Sequence, residues 1–174
     1  VCVVLIWNQD QVLVAWLIDE AAAGRYGLAV NLVSPLLLVP HALQAMLFPG
    51  MAQMQTLAQR VQRIGPFLLA GSGLLLVLGL GVAAFSRFFL IRVFGLDFAP
   101  TVPLVYWLLP GIWAWSTQIL VGLVMTSWAL PGRYTGLFLG VTVLNFCLTT
   151  SLLGTLGLAG AAIASSLTNI TLLC

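Results

Sequence analysis

The stretch from Ile64 to Phe85 reads IGPFLLAGSGLLLVLGLGVAAF and contains no charged side chain. A helix rises about 1.5 Å per residue, so about 20 apolar residues are needed to cross a hydrocarbon core of roughly 30 Å. Strands that cross a membrane alternate polar and apolar residues, whereas Leu74 to Leu78 is continuously apolar. This stretch therefore predicts a membrane-spanning α-helix.

The rest of the chain has the same character. Of its 174 residues, 61% are apolar and 6% are charged, and the mean hydropathy is +1.14. Soluble domains contain about 25% charged residues, so a water-soluble globule is excluded. The arginines are too sparse to follow a nucleic-acid backbone, and we predict no nucleic-acid partner. The three cysteines lie singly in apolar runs without the spacing of metal or redox sites. We therefore predict no metal site and no cofactor.

Six apolar stretches follow one another, and the short connections between them carry nearly all the charged residues. The predicted spans are 1–18, 26–48, 64–85, 102–126, 134–153 and 158–174. We therefore predict an all-α fold, a polytopic membrane helical bundle of about six transmembrane helices that forms a single domain over residues 1–174. Because the chain begins and ends inside apolar runs, we expect it to be a fragment of a longer protein.

The connection from Pro49 to Arg63 is polar on one side only. Its apolar residues recur at helical spacing: Met54, Leu57, Ala58 and Val61. We expect a short helix that lies in the membrane interface.

The orientation of the chain in the membrane is indicated by its charged residues. The arginines are balanced between the two sides of the membrane, so the positive-inside rule does not decide the orientation. The acidic residues Asp19, Glu20 and Asp97 fall on the opposite side, which favours a cytoplasmic location for this connection.

Polar side chains occur near the middle of the first span, where Asn8, Gln9, Asp10 and Gln11 form one helical turn. A charged group at this depth costs about 2.5–3.5 kcal/mol and usually faces the bundle interior or water. A loop here would leave Val12 to Ile18 too short to cross the membrane. No basic residue lies within the spans, so we expect Asp10 to meet water, substrate or a basic residue outside this chain, or to carry a proton.

The second span has one polar face, formed by Asn31, Ser34, His41 and Gln44. At 100° per residue these side chains fall within an arc of about 140°. The face predicts either the lining of an aqueous cavity or a helix contact, although Ser34 can bond its own backbone and His41 can be a packing residue. The candidate cavity-lining residues are Asn8, Asp10, Asn31, His41 and Gln44.

The fifth span carries small residues on one face and polar residues on another. The small residues are Gly132, Gly136 and Gly140, and the polar residues are Thr142, Asn145 and Thr149. We expect this helix to approach one neighbour closely and to form hydrogen bonds with another.

No catalytic arrangement is recognisable in the sequence. His41 is the only histidine, no carboxylate pair occurs in one plausible site, and no glycine-rich phosphate loop follows a strand. We therefore predict that the chain is not an enzyme.

Five short motifs resemble those of a known transporter family. In chain order they are GRYGLA at 24–29, VPHAL at 39–43 with LFP at 47–49, VFGLDF at 93–98, LN at 144–145 and GLAGAAIA at 157–164. Together they resemble the second lobe of the oligosaccharide or polysaccharide flippase family, within the superfamily that includes multidrug exporters. The chain departs from the family at Gly154, where proline is frequent, and at Leu156, where an aromatic residue is common.

The resemblance implies two six-helix lobes around a central cavity. It implies that the protein moves a lipid-linked saccharide across the bacterial cytoplasmic membrane by alternating access. The implied partners are that saccharide, membrane lipids and a coupling ion, either a proton or sodium. Two alternatives stay open. One is an ion-coupled multidrug-type exporter with Asp10 as the coupling carboxylate, and the other is a non-transporting scaffold subunit whose polar faces are buried in protein contacts.

Overall fold

Helices make up almost all of the chain in the computed structural model, which describes residues 2–127 and 131–172. Side chains are described for residues 9–125, 132, 135, 136 and 138–172. Within these ranges there is no strand. The helices are α1 Cys2–Leu17, α2 Glu20–Val33, α3 Leu38–Ala52, α4 Leu57–Phe94, α5 Thr101–Ser127, α6 Pro131–Leu156 and α7 Leu158–Thr171. The predicted all-α bundle is confirmed.

Four stretches of the described chain are long and apolar enough to cross a membrane. They are Glu20–Ala52, Leu57–Phe94, Leu96–Met125 and Phe138–Leu156, and Leu158–Thr171 is a shorter apolar helix. The first of these is α2 and α3, joined by a 3₁₀ turn at Ser34–Leu37 that has Pro35 in its first turn. These lengths indicate an integral membrane protein.

The connection between α3 and α4 differs from the prediction. We expected a separate interfacial helix over Pro49 to Arg63, but α3 continues to Ala52 and α4 already begins at Leu57. The hydroxyl of Thr56 accepts a hydrogen bond from the backbone N–H of Gln59, and the Gln59 side chain accepts one from the Thr56 N–H. This capping box satisfies backbone donors at the start of α4, so the second half of the connection belongs to the membrane-spanning helix.

The central helix of the bundle is α5, which contacts α2, α3, α4, α6 and α7. One apolar core lies between α5 and the helices α1, α2 and α7, and includes Tyr26, Val33 and Val105. A second, smaller core joins α3, α4 and α5 around Met51 and Leu123. By contrast, most of α4 is exposed, as expected of a helix that faces lipid.

Two glycines set the position of α7. Gly157 has a φ of 61° and forms the one-residue turn between α6 and α7, a backbone conformation that side chains disfavour. At Gly111 on α5, an added Cβ atom would lie 2.7 Å from Ser166 Oγ and 2.8 Å from Ser166 Cα. Helix α5 therefore approaches α7 more closely than any side chain at position 111 would allow.

Candidate functional site

The carboxylate of Asp10 lies at the meeting point of four helices and is only 6% exposed. Its Oδ1 accepts a hydrogen bond from Thr149 Oγ1 on α6 at 3.2 Å. Its Oδ2 accepts hydrogen bonds from Ser165 Oγ on α7 and from Tyr26 Oη on α2, the latter at 3.5 Å. The Tyr26 and Ser165 hydroxyls also lie 3.4 Å apart. Three hydroxyl groups therefore surround one buried acid.

The network continues along the contact between α1 and α6. Asn145 Oδ1 accepts a hydrogen bond from Gln9 Nε2 at 2.6 Å and lies 3.3 Å from Thr149 Oγ1, whose single proton it shares with Asp10 Oδ1. Gln9, Asp10, Tyr26, Asn145, Thr149 and Ser165 are called the Asp10 cluster below. Because Asn145 and Thr149 are four residues apart, they project from the same face of α6. The predicted hydrogen bonding of that face to a neighbouring helix is confirmed for Asn145 and Thr149, whereas Thr142 donates to the Phe138 carbonyl of its own helix.

The Asp10 cluster lies well inside the bundle. Asp10, Tyr26, Thr149 and Ser165 are each six or seven residues from one end of their helix, namely Leu17, Glu20, Leu156 and Leu158. At 1.5 Å per residue this corresponds to a depth of about 10 Å along each helix. A polar group at this depth of a membrane protein does not contact water unless the protein provides an aqueous path. Its hydrogen-bond partners must therefore be side chains of other helices or water in a cavity.

A small cavity adjoins the carboxylate. Its volume is about 50 Å³, enough for a few water molecules. Polar groups at its edge come from Asp10, Tyr26, Asn145, Ser165, Ser166 and Asn169, and apolar groups come from α2 and α5, including Trp115. The cavity therefore has both the polar lining and the space that buried water requires.

The observed partners of Asp10 correct one expectation. We expected water, substrate or a basic residue outside the chain, but the donors are hydroxyl groups of Tyr26, Thr149 and Ser165 in the chain itself. Hydroxyl groups stabilise a carboxylate without neutralising its charge. Among the described residues Asp10 forms no ion pair, and these residues contain no group of three or more His, Cys, Asp or Glu side chains that could hold a metal ion.

The polar face of α2 and α3 is arranged differently. Asn31 and His41 are exposed, and Gln44 is half-buried. Ser34 Oγ donates to the backbone carbonyl of Asn31 at 3.4 Å, which is the local bond considered from the sequence. A 3₁₀ turn advances about 120° per residue, compared with about 100° in an α-helix. The turn at Ser34–Leu37 therefore changes the arc around the helix axis that contains Asn31, Ser34, His41 and Gln44, from about 140° to about 60°.

The predicted site residues therefore do not all line the same cavity. Asp10 lines the small cavity, whereas Asn31, His41 and Gln44 do not line it. The side chain of Asn8 lies outside the described residues. Sequence analysis had assigned no site role to Ser165 or Tyr26. The available signal for the contribution of α7 was its run of polar residues after an apolar start, which begins with Ser165 and Ser166.

The glycine face of α6 has no close neighbour in the described chain. A Cβ atom added at Gly132, Gly136 or Gly140 would meet nothing within 4 Å. The expected close helix approach therefore does not occur among the described residues. Helix α6 instead contacts α7 near their shared turn and α1 through Asn145 and Thr149.

Comparison of this chain with protein families, with characterised proteins and with solved structures gives no match.

Proposed function

We propose that this chain is part of a membrane transporter that moves a lipid-linked oligosaccharide across the cytoplasmic membrane by alternating access. One observation carries the proposal: polar side chains on neighbouring helices differ in whether they are buried or exposed. Asp10 is enclosed by four helices, whereas Asn31 and His41 stay exposed on a long apolar span. Polar groups at membrane depth face water or protein and not lipid. An aqueous cavity beside α2 and α3 accounts for this arrangement.

The substrate class is supported by the motif resemblance and by physical chemistry. A pyrophosphate headgroup with attached sugars cannot cross hydrocarbon without a polar path. The exposed face of Asn31, His41 and Gln44 offers hydrogen-bond donors and acceptors for such a headgroup. The motif resemblance also supports a location in the bacterial cytoplasmic membrane, and with the acidic residues Asp19, Glu20 and Asp97 on the opposite side it supports a cytoplasmic position for the connection around Gln55.

The Asp10 cluster supports a role in coupling. It combines one carboxylate with oxygen atoms from Tyr26, Asn145, Thr149 and Ser165. Oxygen ligands with a single negative charge suit a proton or a hard monovalent cation such as sodium, and transporters bind such ions near the middle of the membrane. We therefore include a coupling ion, proton or sodium, in the proposed cycle.

Two other functions make different demands on the same residues. An ion-coupled multidrug-type exporter would use Asp10 in the same way, but its substrate would be a small amphipathic molecule. A scaffold subunit would bury Asn31 and His41 against a partner protein. Both side chains are exposed in this chain alone, so their environment in the full-length protein, water for a transporter and a partner protein for a scaffold, distinguishes the two functions.

A vesicle assay with the full-length protein tests the proposal. A lipid-linked oligosaccharide with a fluorescent label on the sugar is placed in both leaflets, and a membrane-impermeant reductant then destroys accessible label. Label in the inner leaflet should be lost in vesicles that contain the protein and stay protected in vesicles that lack it. The double variant Asn31→Leu/His41→Leu should slow the loss, and Gln55→Leu in the connection is the matched control.

The outcomes separate the three functions. Protection equal to that of protein-free vesicles contradicts the flippase proposal. Transport of amphipathic dyes without movement of the labelled saccharide indicates the exporter. Absence of both activities, together with a partner protein that covers Asn31 and His41, indicates the scaffold.

A further inference from the structure

The C-terminal part of α4 carries two arginines that have no polar partner in the part of the chain that the structure describes. Arg87 and Arg92 are exposed, and neither forms an ion pair or a side-chain hydrogen bond with a described residue. Together with Ala84, Phe88 and Ile91, which also belong to α4, they border a shallow, open surface region that is called the arginine groove below. The last three residues are spaced four and three apart and therefore share one helix face. The groove thus combines an apolar helix face with two unneutralised positive charges.

The position of the groove is that of a membrane interface. The charge-free stretch of α4 ends at Ser86, Arg87 follows it directly, and Arg92 comes five residues later. Phe88 is 66% exposed and Leu96 is 76% exposed, so large apolar side chains surround the two guanidinium groups. Arginine side chains next to apolar surface typically extend toward the headgroup level of the bilayer.

An apolar crevice lies deeper along the same helix. It has a volume of about 330 Å³ between α4 and α5, and its lining includes Leu76, Leu80, Tyr106 and Trp113. Leu80, Ala84 and Phe88 recur every four residues and connect this crevice with the arginine groove along one side of α4. The distance from Leu80 to Arg87 along the helix is about 10 Å.

We propose that this surface binds an anionic phospholipid. Its phosphate lies between Arg87 and Arg92, and one acyl chain passes Ala84 and Leu80 into the crevice between α4 and α5. Charge complementarity selects this occupant, because guanidinium groups bind phosphate through paired N–H donors and the surrounding surface is apolar. The favourable effect of a cation at a helix C-terminus accounts for Arg92 but not for Arg87, which lies about two turns before the end of α4. The site requires that α4 is embedded in a membrane and does not depend on transport.

Native mass spectrometry of the purified full-length protein tests the headgroup contact. Phosphatidylglycerol and phosphatidylcholine with identical acyl chains are compared for the unmodified protein and for the variants Arg87→Gln, Arg92→Gln and the double variant. The unmodified protein should prefer phosphatidylglycerol. Each single substitution should weaken its binding about fivefold, and the double substitution should remove the preference. Arg63→Gln is the control, because it removes an exposed arginine at the other end of α4.

The variant Leu80→Asn tests the acyl-chain contact. Leu80 is 71% exposed, so its replacement leaves the packing of the bundle intact, as circular dichroism can verify. Binding of both lipids should weaken to the same degree, because this contact involves the acyl chain and not the headgroup.

The proposal is overturned if the unmodified protein binds the two lipids with equal affinity, or if Arg63→Gln weakens phosphatidylglycerol binding as much as the substitutions at Arg87 and Arg92 do. Preferential capture of a lipid-linked saccharide through Arg87 and Arg92 also overturns it. If Leu80→Asn changes neither affinity, the assigned path of the acyl chain is wrong.

Discussion

Asp10 and Thr149 are separated by 139 residues in the sequence, yet their side chains are joined by a hydrogen bond of 3.2 Å. The bond connects α1 to α6 at a depth where neither side chain reaches bulk water. With the hydroxyls of Tyr26 and Ser165 it satisfies a carboxylate that would otherwise be costly to bury. Asp10 therefore contributes to the packing of four helices, in addition to its proposed role in transport.

Replacement of Thr149 by valine should destabilise the protein. Valine has nearly the same shape, but it removes the one hydroxyl donor that Asp10 Oδ1 and Asn145 Oδ1 share. Hydrogen bonds between membrane helices contribute about 0.6 kcal/mol on average and up to about 1.7 kcal/mol, so we expect a loss of about 1 kcal/mol in thermal unfolding in detergent. Thr150→Val is the matched control, because the Thr150 hydroxyl bonds only the carbonyls of Phe146 and Cys147 in its own helix. Equal effects of the two substitutions would show that the Asp10 bond adds nothing.

Replacement of Asp10 by asparagine should impair coupling. The side chain keeps its shape but loses its charge and its exchangeable proton. We expect transport by the full-length protein to fall about tenfold and to lose its dependence on the ion gradient. Asp97→Asn is the control, because Asp97 is an exposed carboxylate near the end of α4. If transport by Asp10→Asn matches that of the unmodified protein from about pH 6 to about pH 8, Asp10 has no role in coupling.

Replacement of Gly111 by alanine should separate α5 from α7. The added Cβ would lie 2.8 Å from Ser166 Cα, so the backbone of α5 or α7 has to move. Overpacking of this kind lowers the free energy of unfolding by about 1–3 kcal/mol. Thermal unfolding measures the loss. Gly73→Ala is the matched control, because a Cβ at this exposed position of α4 meets nothing within 4 Å. Alanine there should leave the stability unchanged or raise it by up to about 1 kcal/mol. An unaltered melting temperature for Gly111→Ala would contradict the close approach.

Cysteine labelling tests whether the polar face of α2 and α3 meets water. In a full-length background with serine at Cys2, Cys147 and Cys174, single cysteines at Asn31 and His41 should react with a membrane-impermeant thiol reagent. A cysteine at Val33, which has no exposed surface, should stay protected. Protection of Asn31 and His41 in both the inward-facing and the outward-facing state would exclude the aqueous cavity.

Epitope tags at Gln55 and Thr155 test the orientation in the membrane. Gln55 lies between α3 and α4, and Thr155 lies near the end of α6. Because α4, α5 and α6 separate them, the two tags should be on opposite sides, with Gln55 in the cytoplasm. Antibody access in intact and permeabilised cells distinguishes the sides. Access to Gln55 in intact cells would invert the proposed topology.

The helices were predictable because their signal is local. The apolar length of Ile64 to Phe85 alone requires a spanning helix, and charged residues mark the connections. The start of α4 carried a local signal as well, since Thr56 and Gln59 have the spacing of a capping box. That signal competed with the amphipathic pattern of Pro49 to Arg63, and the interfacial helix inferred from the pattern was wrong.

The site was predictable only in part. The burial of Asp10 inside the bundle was predictable from its position in the middle of the first apolar stretch. Its partners Thr149 and Ser165 did not, because spacing within one helix does not state which distant helix packs against it. The turn at Gly157 brings α7 back beside α6, and this tertiary arrangement selects the donors. The exposure of His41 likewise depends on which helices cover α2 and α3.

The distance along the chain between Asp10 and its donors has a consequence for biosynthesis. Ser165 follows Asp10 by 155 residues, and at about 5–20 residues per second the ribosome reaches it roughly 8–30 s later. For most of that interval Tyr26 on α2 is the one donor of this set available to Asp10 on α1, because Thr149 is translated 139 residues after Asp10 and Ser165 follows last. A product that terminates before α7 therefore keeps an incompletely satisfied carboxylate in the bilayer, which distinguishes it chemically from the finished bundle.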